Sequence, residues 1–397
     1  MSVAIPLGFR FAGVHCGIKQ DPTREDLSLV VTTSPAVAAG VYTQNLVYAA
    51  PVAVDRRRTP SSSIRVVVTN SGNANACTGE RGERDALEMA RLAAVACGAE
   101  PEQALVMSTG IIGHFLPLDK IAAGIQAAAA KLASDSAAFL CAARGITTTD
   151  KSHKVASRTL QVAGRTATIL GMAKGAGMIG PNMATLLAVV MTDAALTPET
   201  AQASLSAAVA DSFNCISVEG HTSTNDTVLL LASGAACPQP LTGLELDHFT
   251  QSLRELCIEL ARQIPADGEG ATHLITIDVR GCATRDDARQ IAQTVADSAL
   301  VKTAIAGGDP NWGRIVSAAG YAGVPFDPQR LSLTVNSTLL FDRGAPVKFD
   351  AATVSRSIRD QHETQLVLQL AQGDAAIRFW TSDLTVDYVR FNADYHT

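Results

Sequence analysis

The 397-residue chain carries 38 Asp and Glu against 32 Lys and Arg, a net charge of -6, with 47% hydrophobic and 18% charged residues. That composition belongs to a folded α/β chain long enough for two or three domains, and it excludes the basic face that nonspecific nucleic-acid binding needs. No apolar run reaches the roughly 20 residues that span a bilayer, and residues 1–10 lack the pattern of a secretory signal, so a cytoplasmic protein with neither membrane nor nucleic-acid partner is expected.

Strand-forming runs come first, at residues 27–32 and 64–69. A helix is predicted over 83–97, with Leu87, Ala90, Ala94 and Cys97 on one face and Gly98 as its stop. A second follows Asp119 as N-cap, with Ile121, Ile125 and Leu132 at helical spacing. Thr197 and Pro198 open a helix running to Phe213. Next come a strand at 227–233, an amphipathic helix carrying Phe249, Leu253, Leu256 and Leu260, and an alternating strand at 273–279. A helix over about 284–306 and strands at 331–335, 364–370 and 385–390 complete the chain. The softest boundary falls near residue 275, dividing a main unit, 1–275, from a smaller α/β unit, 276–397.

Eight cysteines are scattered without a Cys-x-x-Cys pair and read as buried free thiols of a reducing compartment. Eight histidines show no ligand spacing, so no metal site is expected.

The densest chemical signal is Lys174-Gly-Ala-Gly-Met-Ile-Gly-Pro-Asn-Met-Ala-Thr185, followed by the apolar run 186–191. Gly175, Gly177 and Gly180 have the Gly-x-Gly-x-x-Gly spacing of dinucleotide-binding turns, but Pro181 and a β-type run follow where a helix should open. The segment instead puts a threonine at the head of a buried strand. A hydroxyl attacks well at neutral pH only when a base takes its proton, and a threonine whose own α-amine is that base is one compact solution. That amine exists only if the chain is cut between Ala184 and Thr185. The plainer alternative is a strand-to-strand loop with Thr185 an ordinary strand residue.

Self-cleavage requires the Thr185 hydroxyl to attack the Ala184 carbonyl, an ester to form by N-to-O acyl shift, and water to release the new amine. Its reference pKa of about 7.7–8.0 suits a general base. Ser108-Thr109-Gly110 offers a hydroxyl and a backbone amide as oxyanion donors, or is a structural turn. Lys174 could bind a carboxylate or lower the pKa of the amine. Thr148, Thr149 and Asp150 form a polar cluster, Glu269 sits in Asp267-Gly-Glu-Gly, and residues 214–227 are rich in hydroxyls and amides.

Several segments stand together in order: Asn70-Ser-Gly-Asn-Ala-Asn-Ala-Cys-Thr-Gly79, Ser108-Thr-Gly-Ile-Ile-Gly113, the Lys174–Thr185 run, Ser223-Thr-Asn-Asp226, Asp267-Gly-Glu-Gly270, Asp309-Pro-Asn-Trp-Gly-Arg314 and Asn392-Ala-Asp-Tyr-His-Thr397. They resemble the ornithine acetyltransferase (glutamate N-acetyltransferase) family of arginine biosynthesis over nearly the whole chain. The resemblance implies a four-layer αββα sandwich of the self-processing type, with a smaller C-terminal α/β domain whose tail returns to the active site. It implies cleavage between Ala184 and Thr185 into chains of residues 1–184 and 185–397, assembled as a heterotetramer of two of each. Thr185 would be nucleophile and Thr109 and Gly110 the oxyanion hole. Thr148, Lys174, Thr185, Glu269, Asn392 and Thr397 would bind substrate.

The implied reaction is ping-pong: N2-acetylornithine acetylates Thr185, ornithine leaves, and glutamate takes the acetyl group. No metal or bound cofactor is implied, and acetyl-CoA stays open as a second donor. Glu219-Gly220-His221 stands where an Asp-Gly-Asp type sequence is expected, Asp150-Lys-Ser-His-Lys154 replaces a more apolar continuation, and Leu186 stands where methionine is common. These departures bear on side-chain preference. Two alternatives remain at this level: an amidohydrolase or aminopeptidase with water as acceptor, and an uncleaved, non-enzymatic paralogue.

Overall fold

The computed structural model describes residues 3–162, 164–180 and 186–394. Ala184, Thr185 and Thr397 therefore lie outside the described residues. The first elements are β1 (Phe9–Val14), β2 (Leu27–Tyr42), α1 (Ala50–Arg58), β3 (Ser61–Asn73), α2 (Gly79–Ala96), β4 (Ala104–Ile111), α3 (Leu118–Ala129), α4 (Ser136–Gly145), β5 (Lys154–Val162) and β6 (Arg165–Lys174). Then come β7 (Leu187–Ala194), α5 (Pro198–Ala210), β8 (Ile216–Ser217), β9 (Thr227–Cys237), α6 (Gly243–Ala266) and β10 (Leu274–Cys282). The remainder is α7 (Arg285–Asp297), α8 (Ala299–Ala306), α9 (Trp312–Gly320), β11 (Ser332–Val335), β12 (Thr338–Asp342), β13 (Ala345–Pro346), α10 (Ala351–Asp360), β14 (Glu363–Gln369), β15 (Ala375–Ser382) and α11 (Val386–Asp394).

One sheet runs β4-β3-β2-β9-β7-β6-β5, with β1 beside β2. It folds over on itself at β2, whose first half pairs with β3 and whose second half pairs with β9. The register slips between Val31 and Ala36, a stretch that contains Pro35. Proline removes a ladder donor, so the strand bends there and carries the chain from one layer to the next.

Alternation then builds four layers. Val67, Leu105 and Met107 from the first half-sheet share a core with Leu187, Val189 and Met191 from the second. Their neighbours point outward: Val66, Val68 and Val106 pack under α2 and α3, while Ala188 and Val190 pack under α5 and α6. A period of two thus gives each strand two buried faces, and the order is helices, sheet, sheet, helices. The fold is the αββα sandwich.

A second sheet, β13-β12-β11-β14-β10-β15-β8, carries the smaller α/β layer. Ile275, Ile277 and Val279 of β10 and Ile291 and Val295 of α7 continue one apolar cluster with α5 and α6. β8 pairs parallel to β15, so the main sandwich lends a strand to this sheet just before the loop that borders the active site.

Several elements differ from the sequence reading for physical reasons. The strand expected at 385–390 is the helix α11: β15 ends at Ser382, and Asp383 turns the chain aside by accepting from the Thr272 amide at 2.9 Å. Thr385 then caps the new helix, accepting from the Tyr388 amide at 3.4 Å. The helix expected over 284–306 is two, because Ser298 leaves helical geometry and its hydroxyl accepts from the Val301 amide. Asp119 is not the N-cap of α3 but lies in its first turn, where its charge still faces the helix N-terminus. Of the eight cysteines, four are buried, three half-buried, and Cys77 exposed.

Candidate active site

A cavity of about 200 Å³ opens where loops from the sandwich, the second sheet and α11 meet. Thr109 and Gly110 at the end of β4, Thr148 after α4, Lys174 at the end of β6, Glu269 after α6 and Asn392 on α11 all line it. Six positions spread over nearly 300 residues of sequence are thereby brought together. On one side of the segment 181–185, Gly180 lies close to the Gly220 backbone, and on the other the Leu186 amide donates to Asp226 at 3.0 Å.

Lys174 is 2% exposed, and its ammonium donates to the Thr148 hydroxyl at 3.2 Å. Burial pulls its pKa down, while Asp150, Asp226 and Glu269 pull it up and Lys154 opposes them. The result is a lysine below its ordinary value that makes no carboxylate salt bridge among the described residues. It is a cation that an anionic substrate group would complete.

Asp150 is the organiser beneath it. Its carboxylate accepts from the amides of Thr148 at 2.9 Å and Gly175 at 2.7 Å and bonds the Lys154 ammonium at 2.5 Å. Burial alone would raise its pKa; Lys154 and Lys174 outweigh it and hold the carboxyl well below its ordinary value. Lys154 also bonds Asp267 at 2.5 Å, and Asp267 accepts from the Lys151 amide at 3.1 Å. Asp150 and Lys154, the two ends of the run that departs from the expected pattern, thus form a buried charge pair under the substrate loop, while Lys151 and Ser152 between them are exposed.

Glu269, two residues after Asp267, accepts from the Thr149 hydroxyl at 2.7 Å and from the Asn392 amide at 3.1 Å. Its own backbone amide donates to Ala176 in the glycine loop at 2.9 Å. α11 therefore lies against the cavity, with Tyr388 and Asn392 in its lining. Tyr388 on the same helix lines the cavity, its phenol pushed up to about 12 by burial and by Glu219 and Glu269 nearby.

The glycine loop is built for close approach. A Cβ on Gly177 would stand 2.4 Å from the Glu269 carboxyl carbon, and one on Gly180 would stand 2.7 Å from the Gly220 backbone. The wall 217–226 grips this loop: the Ile179 carbonyl accepts from the amides of Val218 at 2.8 Å, Glu219 at 3.2 Å and Gly220 at 3.0 Å. Glu219 and His221, the other departure from pattern, both line the cavity. Burial pushes the Glu219 carboxyl up to about 8.

Sequence reasoning missed Asp226, Asn225, Asp267 and Lys154 as parts of this site. Their signal was present: two lie in Ser223-Thr-Asn-Asp226 and one in the Asp267 motif, but nothing in spacing says which backbone groups they meet. Among the described residues no group of His, Cys, Asp and Glu could hold a metal ion, and no helix is long and apolar enough to cross a membrane.

The ArgJ family model matches residues 10–397. The chain belongs to the ArgJ family. Among relatives of this family, the arginine biosynthesis bifunctional protein ArgJ of Rhodopirellula baltica is 48% identical over 399 residues, covering 100% of this chain and 97% of its own. The protein of the same name from Symbiobacterium thermophilum is 48% identical over 398 residues, covering 100% and 98%. The crystal structure of the ArgJ protein from Bacillus halodurans is 37% identical with a TM-score of 0.50, and covers 51% of this chain but 96% of its own.

Proposed function

We propose that this chain is a self-cleaving N-terminal-threonine acetyltransferase that moves the acetyl group of N2-acetylornithine to glutamate in arginine biosynthesis. The observation that carries the reading is the meeting of Thr109, Gly110, Thr148, Lys174, Glu269 and Asn392 in one cavity. Membership of the ArgJ family supports it, since the relatives bear the name of an arginine biosynthesis protein. Cleavage between Ala184 and Thr185 is supported by the Bacillus halodurans chain, which is matched over nearly all its length yet spans half of this one, as a product of such a cut would.

Each residue then has a chemical part. The freed α-amine of Thr185 takes the proton of its hydroxyl, and the hydroxyl attacks the acetyl carbonyl of N2-acetylornithine. The tetrahedral oxyanion is met by the Thr109 hydroxyl and the Gly110 amide, donors already fixed by β4. Collapse expels ornithine, protonated by the same amine, and leaves an acetyl ester on Thr185. Glutamate enters the vacated cavity and its amine takes the acetyl group. The Lys174 ammonium receives the α-carboxylate common to both substrates and keeps the nearby amine in its basic form. Glu269 and Asn392 close the opposite side.

This cycle needs neither metal nor cofactor, because hydroxyl, amine and oxyanion donors supply every proton and charge it requires. The relatives' designation as bifunctional is the reason to assay acetyl-CoA as a second donor. The reading carries with it a cytoplasmic enzyme and an assembly of two chains of residues 1–184 with two of residues 185–397.

Incubation of purified protein with N2-acetylornithine, with and without glutamate, tests it. Ornithine should accumulate catalytically only with glutamate present, alongside N-acetylglutamate. Release at the same rate without glutamate would make the protein a hydrolase. Thr185→Ala should abolish both cleavage and turnover.

A further inference from the structure

The dipeptide Asn225–Asp226 occupies a place that no catalytic part explains. Asp226 is fully buried, and its Oδ1 accepts from the Leu186 amide at 3.0 Å. Leu186 is bonded to Thr185, so that amide belongs to the peptide bond of the nucleophile itself. Asn225, 5% exposed, turns the other way. Its side-chain amide donates to the Ser108 carbonyl at 2.8 Å and to the Ala74 carbonyl at 2.7 Å, and its own oxygen accepts from the Thr224 hydroxyl at 2.6 Å. The Ser108 carbonyl is part of the peptide bond to Thr109, the first oxyanion donor.

Two neighbouring side chains thus hold, at opposite ends, the amide of the residue that follows the nucleophile in sequence and the backbone of the oxyanion hole. Ser108 and Ala74 fall on the 1–184 side of the cut, and Leu186, Asn225 and Asp226 on the other. Before cleavage the covalent chain helps to fix these parts relative to one another. Afterwards it cannot, and only noncovalent contacts set their separation. A displacement of about 1 Å between reacting groups is enough to lower a rate about a hundredfold.

We infer that Asn225 and Asp226 act as a pair of positioning residues, which set the distance between the Thr185 nucleophile and the Thr109–Gly110 oxyanion hole across the cleaved bond. The inference rests on the acyl-transfer reading above. Asp226 serves as a hydrogen-bond acceptor, not as a charge: its Oδ1 receives the Leu186 amide, and burial favours the neutral carboxyl. An asparagine has the same shape and keeps an acceptor, whereas alanine has none. Asn225 serves through its two donated hydrogen bonds, which alanine removes.

The test compares Asp226→Ala, Asp226→Asn, Asn225→Ala and Thr185→Ala, each assayed for precursor cleavage by intact mass, for kcat and KM in acetyl transfer, and for its thermal midpoint. Asp226→Ala and Asn225→Ala should each lower kcat by about a hundredfold with KM changed by less than about threefold, and should slow cleavage in parallel. Asp226→Asn should recover kcat to within about fivefold of the parent. Parent-like kcat in both alanine variants overturns the inference. So does an Asp226→Asn protein of parent-like midpoint that is as slow as Asp226→Ala, since the carboxyl would then act through its charge or by transferring a proton. Where Asp226→Ala does not fold, the kcat and KM of Asn225→Ala decide. A Thr185→Ala variant that still cleaves and transfers sinks the underlying acyl-transfer reading instead, a result distinct from either outcome above.

Discussion

Two buried carboxyls close to the cavity respond to pH in opposite senses, because their neighbours differ. Asp150 is surrounded by Lys154, Lys174 and backbone amides, which depress its pKa despite burial. Its contribution to stability is complete above the unfolded carboxyl value of about 3.9 and is lost as pH falls through the lower folded value. Burial raises Asp226 to about 8, outweighing the Leu186 amide, Lys174 and the Thr43 and Ser223 hydroxyls, which pull it down. Between about pH 4 and 8 the folded chain holds a proton there that the unfolded chain releases, so this contribution falls as pH rises. Asp226→Asn should therefore make unfolding free energy less steeply dependent on pH in that window, measured by urea titration at several pH values; an unchanged slope would contradict the shift. Lys154 is 1% exposed between Asp150 and Asp267. Lys154→Met leaves the buried Asp150 and the half-buried Asp267 without their shared cation and should cost about 3–5 kcal/mol in the same titration.

The glycine loop shows how an element's sequence serves approach more than turning. Gly177→Ala would set a methyl against the flexible end of Glu269 and should displace that carboxylate from the cavity, raising KM for N2-acetylornithine several-fold with little change in thermal midpoint. Gly180→Ala meets backbone at Gly220, which cannot yield as a side chain can, and should lower the midpoint and slow precursor cleavage. Equal effects of the two variants on stability would contradict the difference in their surroundings. Local pattern made the long helices and buried strands legible, since Leu253, Leu256 and Leu260 or Val189 and Met191 repeat with the period of their element. It failed at 385–390, where Thr385-Val-Asp-Tyr-Val-Arg390 alternates like a strand but β15 has already ended and the Thr385 hydroxyl caps a helix. The site residues were legible where chemistry names them, as with Lys174 and Glu269. Asn225 and Asp226 were not, because their partners are backbone groups 117 and 40 positions distant respectively, a separation only the fold defines.

At the scale of the whole molecule, the proposed cut falls between strands that remain neighbours. β6 and β7, on opposite sides of it, pair antiparallel from Ile169 with Thr192 to Lys174 with Leu187. β2 and β9 pair across it as well, and the inter-sheet core mixes Phe9, Val67 and Met107 with Val189, Leu229 and Leu231. Separating the two pieces would expose that core and break both ladders. They should therefore elute together in gel filtration and part only on a denaturing gel; two separately eluting chains would contradict the shared core.

The central claim, that Thr185 becomes both the first residue and the acyl carrier of a second chain, is tested most directly by mass spectrometry of the intact purified protein before and after addition of N2-acetylornithine. The account predicts two chains, cut between Ala184 and Thr185, of which only the second gains the mass of one acetyl group and loses it again when glutamate is added. A single uncut chain, or an acetyl group carried by the first chain, would contradict it.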